Sequence, residues 1–152
     1  RMVSCTQPRS LTGGSAVIIT RETDYALRIL RALMDGQLHT VGELAQGELL
    51  PQPFAYKIIK KLCKAGLVQI TRGAAGGCRL SADLSQVTLY DLLLALGEPS
   101  AIAACMEPDY ACPWRERQGD CVSHRQLAAI QRTLDQELQS HTLQEILTGQ
   151  PA

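Results

Sequence analysis

The sequence predicts a mainly α-helical protein with one small β-hairpin, on three observations. Apolar residues recur at i, i+3, i+4 and i+7 in several segments bounded by capping residues, as in amphipathic helices. A Gly-rich stretch, Gly73-Ala74-Ala75-Gly76-Gly77, separates two short extended runs. Residues 50–82 hold six basic side chains and no acidic one, although the 152-residue chain carries fifteen of each sign; the remainder has nine cations against fifteen acids and sums to −6. Such segregation gives a nearly neutral protein one cationic face, the electrostatic footprint of phosphate binding.

The first helix starts near Thr20, where Ala26, Ile29, Leu30 and Leu33 form one stripe, and Gly36 closes the segment. Thr40-Val41-Gly42-Glu43 is a capping box that opens a short helix, interrupted at Gly47. The basic helix runs from about 51 to 65. Its apolar arc of roughly 140° takes in Phe54, Ala55, Ile58, Ile59 and Leu62, with Lys57, Lys60, Lys61 and Lys64 on the opposite arc. Pro51 and Pro53 suit a first turn, which has spare N–H groups, and Gly66 suits a left-handed C-terminal cap. Leu67 to Arg72, the Gly-rich turn and Cys78-Arg79-Leu80 form the hairpin. Short helix, turn, basic helix and hairpin in this order make a winged helix-turn-helix.

Thr88 to Asp91 caps a further helix that ends at Gly97. Ser123-His124-Arg125-Gln126 reads as the capping box of a long helix, on which Leu127, Ile130, Leu134 and Leu138 make a narrow seam that calls for a partner. A last short helical turn begins at Thr142. Four regions follow: a disordered tail or cloning remnant over 1–17, a winged helix-turn-helix DNA-binding domain over 18–99, a cysteine-bearing loop over 100–122, and a dimerisation helix with the C-terminal segment over 123–152. No apolar run reaches the length of a membrane span or a signal-peptide core, so the expected location is cytoplasmic.

In a winged helix the second helix enters the major groove with its N-terminal residues nearest the bases. Gln52, Pro53, Tyr56 and Lys57 are therefore expected at base edges, and Lys60, Lys61 and Lys64 at phosphates. Arg72, beside the small residues of the hairpin tip, suits a narrow minor groove.

Cys105, Cys112 and Cys121 lie in what reads as a loop. In a chain without secretory features, the expected explanations are metal, thiol redox or catalysis. Zinc sites usually show a closer cysteine pair, whereas an iron–sulfur cluster tolerates wider spacing but normally takes four ligands. No cysteine shows a histidine and carboxylate constellation and no phosphate loop follows a strand, so an enzyme is not expected. Cys63 reads as a small core residue and Cys78 as a packing residue of the wing rather than a redox group.

The segment LPQPFAYKIIKKLCKAGLVQITRGAAGGCRL, the stretch ITRETDYALRIL and three cysteines ahead of a long helix together resemble the Rrf-type winged-helix transcription regulators. Within that family they resemble the three-cysteine, IscR- and NsrR-like members. The resemblance spans roughly residues 18–147 and implies a homodimer on a palindromic DNA operator. It also implies a [2Fe-2S] or [4Fe-4S] cluster held by Cys105, Cys112 and Cys121, sensing redox state, nitric oxide or iron status. His124 matches the histidine ligand of one relative, and Asp24 matches an aspartate that in another reaches across from the partner subunit. The cysteine intervals are wider than the family's usual five residues. A CymR-like regulator, controlled by a protein partner or by thiol oxidation without a cluster, is the alternative.

Overall fold

The computed structural model describes residues 19–98 and 101–150. The tail expected over 1–17 lies outside the described residues. Three helices come first: α1 (Arg21–Ala32), α2 (Val41–Gly47) and α3 (Gln52–Lys64), with a 3-10 turn at Leu33–Asp35 after α1. Strands β1 (Val68–Thr71) and β2 (Gly77–Leu80) pair antiparallel, with Val68 opposite Leu80 and Thr71 opposite Gly77. Then come α4 (Leu89–Leu96), a 3-10 turn at Ala104–Met106, α5 (Pro113–Gln118), α6 (Val122–Ser140) and α7 (Leu143–Thr148).

The core forms where the apolar stripes converge. Ala26, Ile29 and Leu30 of α1, Ala55, Ile58 and Leu62 of α3 and Leu92 of α4 are completely buried. Each such Leu or Ile contributes about 1.5–3 kcal/mol relative to an exposed position. Leu143 of α7 is also fully buried in this cluster, so the chain returns from its long helix to the core built by α1, α3 and α4. The return is fixed by backbone: Thr88 and Thr142 form an isolated bridge, Leu143 N–H donates to Val87 O at 2.8 Å, and Leu89 N–H donates to His141 O at 3.0 Å.

Capping boxes at Thr40/Glu43, Thr88/Asp91 and Thr142/Glu145 start α2, α4 and α7. Gly66, at φ +78°, ends α3 as expected: its N–H and that of Leu67 return to Cys63 O and Leu62 O. The wing is attached to the body by a third strand-like contact, in which His39 and Cys78 exchange both backbone hydrogen bonds, at 3.0 and 2.7 Å. This close approach needs Gly77, because a Cβ there would lie 2.5 Å from His39 O.

Three details differ from the sequence reading. Phe54 is 51 % exposed rather than in the core; it stands before the first buried position of α3, its ring edge-on to Tyr25 at 6.4 Å. Helix α6 begins two residues earlier than a Ser123 cap would place it: the Cys121 thiol occupies the cap and accepts the His124 N–H at 3.4 Å. The cysteine loop also contains α5, started by Pro113.

Candidate nucleic-acid interface and cysteine loop

Ala55, Ile58, Ile59 and Leu62 turn inward, which leaves Gln52, Pro53, Tyr56, Lys57, Lys60 and Lys64 of α3 exposed on the other side. Tyr56 and Lys60 form one wall of a groove of about 550 Å³ whose other wall is the wing, with Ile70 and Arg72, and whose floor includes Cys78. The exposed face of α3, its cationic rim and the wing thus face one channel. Arg79 is committed within the wing, its guanidinium donating to Gln69 Oε1 at 3.0 Å.

Lys61 is placed differently from the other lysines. Its ammonium lies 2.6 Å from Glu22 Oε1 of α1 and donates to Leu96 O at the end of α4, and the side chain is only 31 % exposed. Lys57 reaches the second oxygen of the same carboxylate at 3.4 Å. Burial works to raise the Glu22 carboxyl, but the Lys61 and then the Lys57 ammonium hold it below its ordinary range. Beside this carboxylate, the Thr20 hydroxyl that caps α1 donates to Glu98 Oε1. The sequence reading missed Glu22, whose partners lie 35 and 39 positions away with no local pattern to announce them.

The three loop cysteines are free thiols, each half-buried. Cys105 sits in the 3-10 turn, Cys112 precedes α5 and Cys121 caps α6. The start of this segment is tied to α6, where Ile102 N–H donates to Gln131 Oε1 at 2.8 Å. His124 stands one turn beyond Cys121. Arg115 Nη1 lies 3.3 Å from its Nε2; a guanidinium only donates, so Nε2 accepts and the ring proton resides on Nδ1, which is buried without a partner. Asp24 pairs with Arg28 at 2.8 Å on the outer side of α1.

As a donor set, three free thiols and an imidazole with an orphaned buried nitrogen suit iron or zinc. Among the described residues, no three His, Cys, Asp or Glu side chains stand together as a metal-holding group. The kinds of donor fit a cluster; their convergence is not formed in this conformation.

Among the described residues, no helix is long and apolar enough to cross a membrane. The family model described as "Iron-dependent Transcriptional regulator" matches residues 19–149. The chain is 29 % identical over 136 residues to protein aau3 of Rhizobium meliloti (strain 1021), covering 88 % of this chain and 86 % of the relative. Its fold matches IscR of T. potens (TM-score 0.60, 19 % identity, 90 % of each chain covered). It also matches CymR, the global cysteine regulator of B. subtilis (TM-score 0.58, 25 % identity, 87 % of this chain and 97 % of that one). The matching family model thus describes a transcriptional regulator, and the B. subtilis neighbour is a global regulator. With a winged helix at its core and the family match running through the long helix to α7, the chain belongs to the Rrf2 family of transcriptional regulators.

Proposed function

We propose that this chain works as a homodimer on a palindromic DNA operator, and that an iron–sulfur cluster held by Cys105, Cys112 and Cys121 modulates its grip. The observation that carries the DNA part is the channel shared by the exposed face of α3 and the wing, with Tyr56, Lys60 and Arg72 along it. Lysines on α3 supply sequence-independent attraction to phosphate, and the first turns, with Gln52, Pro53 and Tyr56, meet base edges. The dimer reading is supported by α6, on which Val122 and Ile130 are 62 % and 57 % exposed while Leu138 is buried near the other end. A stripe left open on a long helix is an association surface.

The cluster reading rests on three free thiols on the segment leading into that helix, and on His124, whose buried Nδ1 lacks a partner. His124 is the candidate fourth ligand from this chain. Asp24 is the candidate from a partner subunit and would have to leave Arg28. A bound cluster supplies a cross-link between thiolates that nitric oxide, oxygen or iron shortage removes. The chain's own part is to turn that cross-link into geometry: Cys121 caps α6, so holding its sulfur fixes the start of the helix.

The test is operator affinity of anaerobically purified holo and apo dimers at matched salt. A coupling of about 1–3 kcal/mol, or roughly 5- to 150-fold in affinity, is expected. Superimposable binding curves would remove the sensor role while leaving the DNA-binding role intact. The likeness to CymR supports a second reading, in which a protein partner or thiol oxidation regulates the chain without a cluster. Iron and sulfide analysis of the anaerobic protein separates the two.

A further inference from the structure

The three-way contact at Glu22 changes what the lysines of α3 can do. Four lysines lie on this helix, yet two of them, Lys57 and Lys61, share one carboxylate of α1. Lys61 is held closely: it is two-thirds covered, 2.6 Å from Glu22 Oε1, and engaged with the backbone oxygen of Leu96. Lys57 is held loosely, its side chain 59 % exposed and 3.4 Å from Glu22 Oε2. A carboxylate presents two anionic oxygens much as a phosphate does, so Glu22 occupies the cations that a DNA strand would otherwise engage.

We infer that Glu22 is an intramolecular competitor for phosphate, and that Lys61 is a positioning residue joining α3 to α1 and α4 rather than a DNA contact. The inference rests on the DNA-binding reading above and is independent of any cluster. Lys61 has two acceptors inside the fold. A phosphate would have to displace both, and the vacated Leu96 carbonyl and the unpaired Glu22 carboxylate would then be left desolvated. Lys60 and Lys64, exposed and paired with no acid among the described residues, carry the backbone attraction on this helix. Lys57 is the exchangeable member, held back from phosphate while Glu22 keeps its charge and free to engage DNA once that charge is removed, whereas Lys61 stays on α1 and α4 in either case. The arrangement weakens binding to arbitrary sequence.

The salt dependence of binding to a duplex of random sequence tests this, since each phosphate contact contributes about 0.9 to the slope of log K against log salt. Wild type, Lys60→Ala, Lys61→Met and Glu22→Gln are compared, each first shown by circular dichroism melting to be folded at the assay temperature. Lys60→Ala is expected to lower the slope by about one unit, and Lys61→Met to leave it at the wild-type value. Glu22→Gln, which is isosteric and removes only the charge, is expected to bind about 3- to 10-fold more tightly near 0.1 M salt, with a slope steeper by about one unit. A Lys61→Met slope that falls like that of Lys60→Ala, or a Glu22→Gln slope equal to wild type, overturns the inference. If Lys61→Met does not fold, Glu22→Gln alone decides. Wild-type protein that binds no duplex at any salt refutes the DNA-binding reading, and this inference with it.

Discussion

Among the described residues two cysteines fifteen positions apart, Cys63 and Cys78, accompany the three of the loop, and the surroundings of Cys78 set its chemistry apart. Cys78 is 1 % exposed and its thiol lies 3.5 Å from His39 O; burial pushes its ionisation up, so the thiolate that would react is suppressed. Iodoacetamide at neutral pH is therefore expected to label Cys105, Cys112 and Cys121 of the apo protein while leaving Cys78 unmodified until the chain is denatured, as peptide mass spectrometry would show. Cys78 labelled at the rate of the loop cysteines would mean that the wing opens. The packing role of Cys78 was legible in the sequence because small apolar side chains favour interiors. The need for Gly at 77 was not, because it depends on the backbone of His39, far back in the chain.

At the scale of elements, local signals carried most of the information. The Thr40, Thr88 and Thr142 boxes join residues three apart, and all three are formed. The start of α6 was misplaced because a thiol is a weak acceptor seldom counted among caps, whereas Ser123 is a common one. Phe54 shows the limit of angular position as a guide: a residue can lie in the apolar arc yet, in the first turn ahead of the first buried position, stay half exposed with one aromatic neighbour. Helix α7 is only six residues long, and Leu143, its first, is fully buried. Its cap therefore carries an uncommon share of its stability. Thr142→Ala should cost about 1 kcal/mol, and because the neighbouring backbone bonds Val87 the loss should appear in the global urea transition rather than as local fraying. An unchanged urea midpoint would mean that α7 is held by its apolar contacts alone. Where the loop cysteines stand was legible only in outline, since the ends of short elements depend on tertiary contacts such as that of Ile102 with Gln131.

For the molecule as a whole, pH reports on the Glu22 contact. A carboxyl held below its ordinary value of 4.5 in the folded state adds stability above that pH, and the addition is lost as pH falls through the lower folded value. Asp35, Glu43 and Asp83 are lowered too, by hydrogen bonds accepted from the Gln37 N–H and the His39 ring, from the Thr40 N–H and hydroxyl, and from the Ser85 hydroxyl and N–H respectively, and act in the same direction. Glu22→Gln should thus lower stability near pH 7 by about 1 kcal/mol, as expected for a pair close to the surface. The deficit should shrink to nothing as acid protonates the wild-type carboxyl. Urea midpoints of both proteins between pH 7 and pH 3 check this, and a deficit constant with pH would assign the effect to packing instead.

Helix α6 runs nineteen residues between two anchorages: the Cys121 sulfur at one end, and Leu138 with the Thr142 bridge at the other. At 1.5 Å per residue it is a rod about 28 Å long, so a tilt of about 10° about one anchorage sweeps the opposite tip through about 5 Å. A shift at the Cys121 end that tilted the helix by this angle would therefore be felt at the far tip as a movement on the ångström scale.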